Sequence, residues 1–167
     1  MISSVLVANR GEVAVRIARA CGELGLRSVA VLAEDDADSL HVRATDEAVA
    51  LPGADVAAYL DPDALVEAAL ERGCDAVHPG YGFLSESAEF ARCCRAAGLV
   101  FVGPDPETLE LFGDKTRARE LATHVGIPVL RGTPGGIMLE QAREFIAGLP
   151  TGRTAMLKAV AGGGGRG

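Results

Sequence analysis

A lysine followed by a run of glycines stands near the end of the sequence. Lys158 lies in the apolar segment 155–160, and residues 162–167 read Gly-Gly-Gly-Gly-Arg-Gly. Successive glycine N–H groups can approach the oxygens of a phosphate closely, and a lysine ammonium adds a compact positive charge. A P-loop is excluded, because its GxxxxGK[ST] pattern places the lysine after the glycines. The segment therefore predicts an anion-binding loop, with a flexible linker as the alternative.

Lysine is rare in this chain. Lys115 and Lys158 are the only lysines among 16 basic residues. Arginine cannot replace lysine where one compact ammonium must reach a phosphate. Both lysines are therefore candidate phosphate contacts. The alternative is that lysine is present at these two positions by chance. Lys115 follows Asp114, which can cap a helix over 115–125.

A second motif, His78-Pro-Gly-Tyr-Gly-Phe-Leu-Ser-Glu86, follows an apolar segment. We expect it where a parallel strand meets the next helix, at the carboxyl edge of a sheet, where open α/β folds bind ligands. Gly80 and Gly82 allow unusual backbone angles, and Tyr81 offers a flat apolar ring with a hydroxyl. A purely structural turn is the alternative, and a lone His78 is more typical of a core histidine than of a catalyst.

The elements that must position these motifs follow a repeated pattern of helix, glycine and apolar run. The pattern recurs at Gly25, Gly73, Gly98 and Gly126, where a left-handed glycine would end the helix. It predicts an α/β fold with an open, mainly parallel sheet and helices on both faces. We expect strands near 5–8, 28–32, 47–51, 75–78 and 99–102, helices over 11–24, 115–125 and 138–147 and one ending near Ala97, and a short strand over 155–159. No GxGxxG follows the first strand, which disfavours an NAD-dependent dehydrogenase.

The helix over 11–24 is amphipathic. Its apolar face is predicted to hold Val13, Ile17, Cys21 and Leu24. The opposite face carries Glu12, Arg16, Arg19 and Glu23. A solvated face with ion pairs and an interface with another molecule are both open interpretations.

Composition sets the broad class. The chain has 167 residues, 49% hydrophobic and 23% charged, which is typical of a folded domain. A net charge of −7 argues against nucleic acid or an anionic membrane as the main partner. The four cysteines match no zinc spacing, so we expect buried free thiols. Without a signal-like N-terminus or a span-length apolar run, the sequence predicts a cytoplasmic protein.

These motifs together resemble biotin carboxylase over nearly the whole chain, in the order and at the separations of that family. The residues that carry the resemblance are Val7–Glu12, Arg16–Arg19, His78–Glu86, Gly103-Pro104, Gly113–Lys115, Lys158 and residues 162–166. The resemblance implies a Rossmann-like pre-ATP-grasp domain over residues 1–114. It also implies that residues 115–167 begin an ATP-grasp domain, including part of its lid, in a chain that continues further.

The resemblance also implies site residues. Lys115 and Lys158 would contact the phosphates of ATP, with the lid residues Gly163, Gly164, Gly165 and Arg166 over the nucleotide. Tyr81 and Gly82 would lie near the biotin and bicarbonate site. Arg16, Arg19 and Glu23 would belong to the face of a homodimer.

The implied activity is the ATP- and bicarbonate-dependent carboxylation of biotin on a carrier domain, through carboxyphosphate. The parent enzyme would be an acyl-CoA or pyruvate carboxylase with a carboxyltransferase partner. The Mg²⁺ ligands and the catalytic base are expected beyond residue 167, so no catalytic residue or metal ligand is assigned and the isolated segment is expected to be inactive. The alternatives are another ATP-grasp ligase, such as a carbamoyl-phosphate synthetase-like enzyme, and a non-catalytic dimerisation or docking module.

Overall fold

The structure, a computed structural model, describes residues 1–133 and 135–157. The chain divides into two compact units, Met1–Leu109 and Glu110–Gly167. The expected domain boundary after residue 114 stays a prediction. The predicted loop at 162–167 and Lys158 lie outside the described residues.

The first unit contains a five-stranded parallel sheet, which confirms the predicted α/β fold. The strands are β1 Ser4–Val7, β2 Arg27–Leu32, β3 Glu47–Ala50, β4 Ala76–His78 and β5 Val100–Phe101. Their order across the sheet is β3-β2-β1-β4-β5. In the central register, Val5 pairs with Ser28 on one side and with Ala76 on the other. All five predicted strands form, and no strand end differs from the prediction by more than one residue.

Helices cover both faces of this sheet. The helices of the first unit are α1 Gly11–Leu24, α2 Leu40–Ala44, α3 Asp55–Ala58, α4 Pro62–Glu71, α5 Ala88–Ala96 and α6 Pro106–Gly113, which runs into the second unit. A short 3-10 helix spans Glu34–Asp36. The sequence did not predict α2 and α3, because segments of five and four residues are too short for a helical period to show.

The core follows from the alternation of side chains along β1. Leu6 packs with Val77 and Phe90 on one face, whereas Val5 and Val7 pack on the other face beneath α1. Each central strand is therefore buried on both faces, as expected for a parallel sheet. This burial holds the carboxyl ends of β1 and β4 in a fixed register.

The predicted helix-ending glycines are confirmed, and side chains cap two helices of the first unit. Gly25, Gly73, Gly98 and Gly126 all have a positive φ, between 57° and 78°, as predicted for residues that end helices. The side chain of Asp61 accepts hydrogen bonds from two backbone N–H groups at the start of α4, and that of Ser87 accepts one at the start of α5.

One prediction about α1 was wrong. Val13, Ile17 and Cys21 are buried as expected, but Leu24 is 72% exposed. Leu24 is the last residue of the helix, and the chain turns at Gly25 before the apolar face can continue. Of the four predicted free thiols, three are buried and Cys93 is partly exposed.

The second unit contains α7 Lys115–His124 and α8 Leu139–Ala147 in addition to the end of α6. Both helices match their predicted ranges within one residue, and Asp114 caps α7 through the N–H groups of Thr116 and Arg117. The predicted strand over 155–159 is not formed at 155–157, and its other two residues lie outside the described part. The apolar run 127–130 also forms no strand.

None of the helices that the structure describes has the length and hydropathy needed to cross a membrane.

Candidate functional site at the carboxyl edge of the sheet

The strand order creates a switch point between β1 and β4. The chain leaves β1 for β2 on one side, then crosses back to place β4 on the other side. Two loops therefore leave adjacent strands at the same edge, residues 8–10 after β1 and residues 79–87 after β4. Such a switch point is where open α/β sheets bind ligands. The predicted position of the His78–Glu86 motif is confirmed.

The motif after β4 is a turn with three left-handed residues. Gly80, Gly82 and Phe83 have φ values of +67°, +68° and +41°. The conformation at Phe83 is uncommon for a non-glycine residue, so surrounding contacts must hold it. The N–H of Gly80 donates to Nδ1 of His78 at 3.1 Å. Burial lowers the pKa of His78, which agrees with a neutral ring whose Nδ1 is an acceptor.

Asn9 joins the two loops. Its side-chain Nδ2 donates to the carbonyl oxygen of Pro79 at 2.7 Å and to that of Tyr81 at 3.0 Å. Its Oδ1 accepts the N–H of Arg10 at 2.9 Å. Asn9 is only 2% exposed, so these bonds replace all of its contact with water.

Tyr81 lies on the open side of this turn and is 64% exposed. Its hydroxyl donates to Oε2 of Glu12, in the first turn of α1, at 3.2 Å. This hydrogen bond raises the pKa of Tyr81. Gly82, the next residue, is also exposed. An accessible aromatic ring beside an accessible glycine backbone can accept a flat ligand that has both apolar and polar groups.

A second polar cluster lies under the turn, formed by Arg10, Asp36 and Tyr59. The Tyr59 hydroxyl donates to Oδ2 of Asp36 at 2.7 Å and accepts the N–H of Ala33 at 3.1 Å. Arg10 donates to the same Asp36 oxygen at 2.8 Å and lies over the Tyr59 ring. The Tyr59 ring stacks on Phe83, with centroids 5.5 Å apart.

These contacts set the charge states of the cluster. Burial, followed by the hydrogen bond to Asp36, raises the pKa of Tyr59. Burial alone would raise the pKa of Asp36, but hydrogen bonds from Tyr59, Arg10 and Ser39 outweigh it and lower that pKa. The cluster is therefore a phenol and a guanidinium bound to one carboxylate at neutral pH.

Sequence reasoning missed Asn9, Asp36 and Tyr59. One signal was available: the chain has two tyrosines, Tyr59 and Tyr81, and both lie at this edge of the sheet. A second signal was the position of Asn9, directly after a buried strand. Asp36 had no such signal, because only the packing of Tyr59 brings it near the turn.

The predicted nucleotide contacts do not come together among the described residues. Lys115 is exposed at the first position of α7, in the second unit, whereas Lys158, Gly163, Gly164, Gly165 and Arg166 lie outside the described part. Within residues 1–133 and 135–157, no group of three or more His, Cys, Asp or Glu side chains is placed to hold a metal ion.

The charged face of α1 is exposed, as predicted, and borders a surface groove. The groove is lined by Gly11, Glu12, Val15, Arg16, Arg19, Ala20, Glu23 and Leu40. The predicted ion pairs on this face are absent from the described part of the chain, which corrects that interpretation. Glu12 bonds Tyr81 instead, and Arg19 precedes Glu23, which is the weaker order for an i,i+4 pair.

Comparison with known proteins decides the family. Residues 1–109 match the model of the biotin carboxylase N-terminal domain. The chain belongs to this family. It is 48% identical over 168 residues to the biotin carboxylase of Halalkalibacterium halodurans, a match that covers all of this chain and 37% of that protein.

Solved structures agree with this membership. The biotin carboxylase domain of a single-chain bacterial carboxylase is 64% identical, with a TM-score of 0.84 over 86% of this chain and 34% of that one. The biotin carboxylase domain dimer of the Hydrogenobacter thermophilus 2-oxoglutarate carboxylase, in complex with MgADP, ADP and bicarbonate, is 43% identical. Its TM-score is 0.93 over 99% of this chain and 36% of that one. The chain spans 13% to 37% of the length of the curated relatives it matches.

Proposed function

We propose that this biotin carboxylase segment contributes to the ATP- and bicarbonate-dependent carboxylation of biotin, through carboxyphosphate, in a longer enzyme. The observation that carries the proposal is the turn after β4, which presents Tyr81 and Gly82 at the switch point of a sheet from this family. Biotin has a planar ureido ring on an apolar chain. It therefore matches the flat, partly polar surface that Tyr81 and Gly82 offer.

The nucleotide would be held by a different part of the chain. Lys115 and Lys158 would neutralise ATP phosphates, and Gly163, Gly164, Gly165 and Arg166 would cover the nucleotide. Phosphoryl transfer depends mainly on positioning and on charge neutralisation, which a compact ammonium and a glycine backbone can supply. The exposed position of Lys115 at the start of α7 is compatible with this role. A covering loop would also keep water from a labile carboxyphosphate.

Mg²⁺ accompanies ATP in this proposal, but the described residues do not fit a metal site, because no cluster of ligating side chains is present among them. No step is therefore assigned to Mg²⁺ in this chain.

The exposed face of α1 would form a homodimer interface through Arg16, Arg19 and Glu23. Charges of both signs stand on one helix face without ion pairs in the described part. A two-fold axis would bring the arginines of one copy to the glutamate of the other. A carrier domain would deliver biotin, and a carboxyltransferase would select the final acceptor, an acyl-CoA or pyruvate. The cytoplasmic location stays a prediction.

The test of function replaces each lysine by arginine in the complete enzyme. Loss of one well-placed charge contact to a transferring phosphoryl group is typically worth about 3–4 kcal/mol, or a rate loss of about 100- to 1000-fold. We expect Lys115→Arg and Lys158→Arg each to impair bicarbonate-dependent ATP hydrolysis by up to this factor, with unchanged thermal melting. Unchanged kinetics in a folded Lys158→Arg variant would contradict the proposal that Lys158 contacts the phosphates of ATP.

The isolated 167-residue chain provides a second test. We expect it not to carboxylate free biotin, because the described residues hold no metal-ligand cluster. If the complete enzyme were a carbamoyl-phosphate synthetase-like ligase, its bicarbonate-dependent ATP hydrolysis would not change when biotin is added. A purely dimerising module would form dimers in size-exclusion chromatography without binding nucleotide in any form of the protein.

A further inference from the structure

We propose that Asn9 is a positioning residue for the biotin site, an inference that rests on the proposed function. Its buried carboxamide sets the backbone of Pro79–Tyr81 and so orients Tyr81 and Gly82. The carboxamide donates to the carbonyl oxygens of Pro79 and Tyr81, at 2.7 and 3.0 Å, and accepts the N–H of Arg10. The two accepting carbonyls belong to the residues on either side of Gly80, so the amide group spans the centre of the turn.

The carboxamide of asparagine meets the hydrogen-bonding requirements of this turn. The turn needs two donors on one atom and an acceptor beside them, which aspartate cannot supply because its carboxylate only accepts. The fit is also close. A Cβ on Gly80 would lie 2.8 Å from Nδ2 of Asn9, so the amide occupies the space that a side chain would need. Gly80 also has a φ of +67°, which most other residues avoid.

The segment 9–12 hydrogen-bonds both the backbone and the side chain of Tyr81. Asn9 binds its carbonyl oxygen, and Glu12, three residues later, binds its hydroxyl. β1 is the central strand of the sheet and α1 packs on one face of it, and the segment 9–12 lies where they join. Two hydrogen bonds from this one segment therefore fix the orientation of the Tyr81 ring relative to the core of the first unit.

Loss of the amide would leave the buried carbonyl oxygen of Pro79 and the partly buried one of Tyr81 without their donor. The turn would then populate several conformations. A ligand that binds only one of them would have an affinity reduced in proportion to the population of that conformation. The nucleotide contacts proposed at Lys115 and Lys158 belong to other segments. Binding of biotin should therefore weaken, whereas binding of ATP should not.

The experiment compares Asn9→Ala and Asn9→Asp with a matched control, Ser4→Ala, in the complete carboxylase. Ser4 is also buried and hydrogen-bonded, but it lies at the opposite end of β1, where its hydroxyl bonds to Gly73 and Asp75. We expect both Asn9 variants to raise the KM for free biotin by about tenfold or more, which corresponds to about 1.4 kcal/mol. The KM for ATP should change less than about twofold, and Ser4→Ala should change neither KM.

Hydrogen exchange gives a readout that does not depend on activity. Amides of residues 80–83 should exchange faster in Asn9→Ala than in wild type, and they should not do so in Ser4→Ala. An unchanged KM for biotin in a folded Asn9→Ala variant would overturn the proposal. The Asn9 variants and Ser4→Ala could instead show the same fall in kcat, with no selective change in the KM for biotin. That result would show a merely structural role for Asn9 and would also overturn the proposal.

The outcomes also separate the two proposals. If the wild-type carboxylase does not carboxylate biotin, the proposed function fails. In that case faster exchange at 80–83 in Asn9→Ala would still show that Asn9 orders the turn. If wild type is active and the Asn9 variants keep its biotin KM, the proposed function stands and the role of Asn9 is rejected.

Discussion

The two units of the chain form helices by the same local rules but bury them very differently. Asp61 caps α4 and Asp114 caps α7, each through two backbone N–H groups. In the first unit, α4 then buries Leu65 with two alanines against the sheet. In the second unit, α7 buries no residue, and α8 buries only Ala142.

This difference separates the formation of a helix from its contribution to stability. Caps and end signals decide where a helix begins, but most helical stability in proteins comes from packing an apolar face. The first unit has a sheet that offers such a surface on both sides. The described helices of the second unit leave large apolar side chains such as Phe112 and Ile146 exposed. The two units should therefore respond differently to equivalent substitutions.

The largest contrast is expected between two phenylalanines. Phe90 is fully buried and contacts Phe101 edge to face, whereas Phe112 is 59% exposed. Phe90→Ala should lower the free energy of unfolding by about 3–5 kcal/mol because it leaves a cavity. Phe112→Ala should change it by less than about 0.5 kcal/mol. Urea unfolding followed by circular dichroism measures both, and equal losses would contradict the contrast between the units.

The next effect concerns the polar cluster under the turn. Tyr59→Phe keeps the stack on Phe83 but leaves the N–H of Ala33 and the Asp36 carboxylate without the hydroxyl. We expect a loss of about 1–3 kcal/mol in unfolding free energy. Tyr81→Phe is the control, since its hydroxyl bond is exposed, and it should cost less than about 0.5 kcal/mol. A Tyr59→Phe variant as stable as wild type would show that the buried cluster does not stabilise the unit.

The two capping aspartates test the comparison directly. Asp61→Ala should cost about 1 kcal/mol in the unfolding free energy of the first unit, because α4 is packed on the core. Asp114→Ala removes an equivalent cap from a helix with no buried residue. It should speed hydrogen exchange in α7 and leave the unfolding of the first unit unchanged. A shift in that unfolding with Asp114→Ala would show that α7 is coupled to the first unit.

The smallest expected effect is a pH dependence at the amino edge of the sheet. The side chain and backbone N–H of Ser3, with Ser4, hydrogen-bond the Asp75 carboxylate and lower its pKa to about 2. A carboxylate with a depressed pKa stabilises the folded state above its unfolded pKa. That contribution is lost as the pH falls from 3.8 towards about 2.

Melting temperature recorded across this pH range measures the effect. Asp75→Asn removes the titrating group, so the melting temperature of this variant should fall less steeply with acid than that of wild type. Identical pH profiles for the two proteins would rule out Asp75 as a source of acid sensitivity.

Part of the candidate site could be predicted from local residues. The pattern of apolar runs and glycines placed the turn at Gly80 and Gly82 after a buried strand, and the positive φ values at both confirm it. Phe83 was not predicted to be left-handed, and its ring stacks on Tyr59, a contact with a residue distant in sequence. The roles assigned to Lys115 and Lys158 stay predictions, since no contact among the described residues tests them.

The sequence by itself determined the local events: where helices are capped, where glycines end them, and which runs are apolar enough for strands. Those events depend on a few neighbouring residues, so their signals are readable along the chain. Only the tertiary structure decided that Asn9 would meet Pro79 and Tyr81, 70 and 72 residues away, and that Asp36 would meet Tyr59. Such pairs follow from strand order and register, which arise because the whole sheet buries its apolar faces at once.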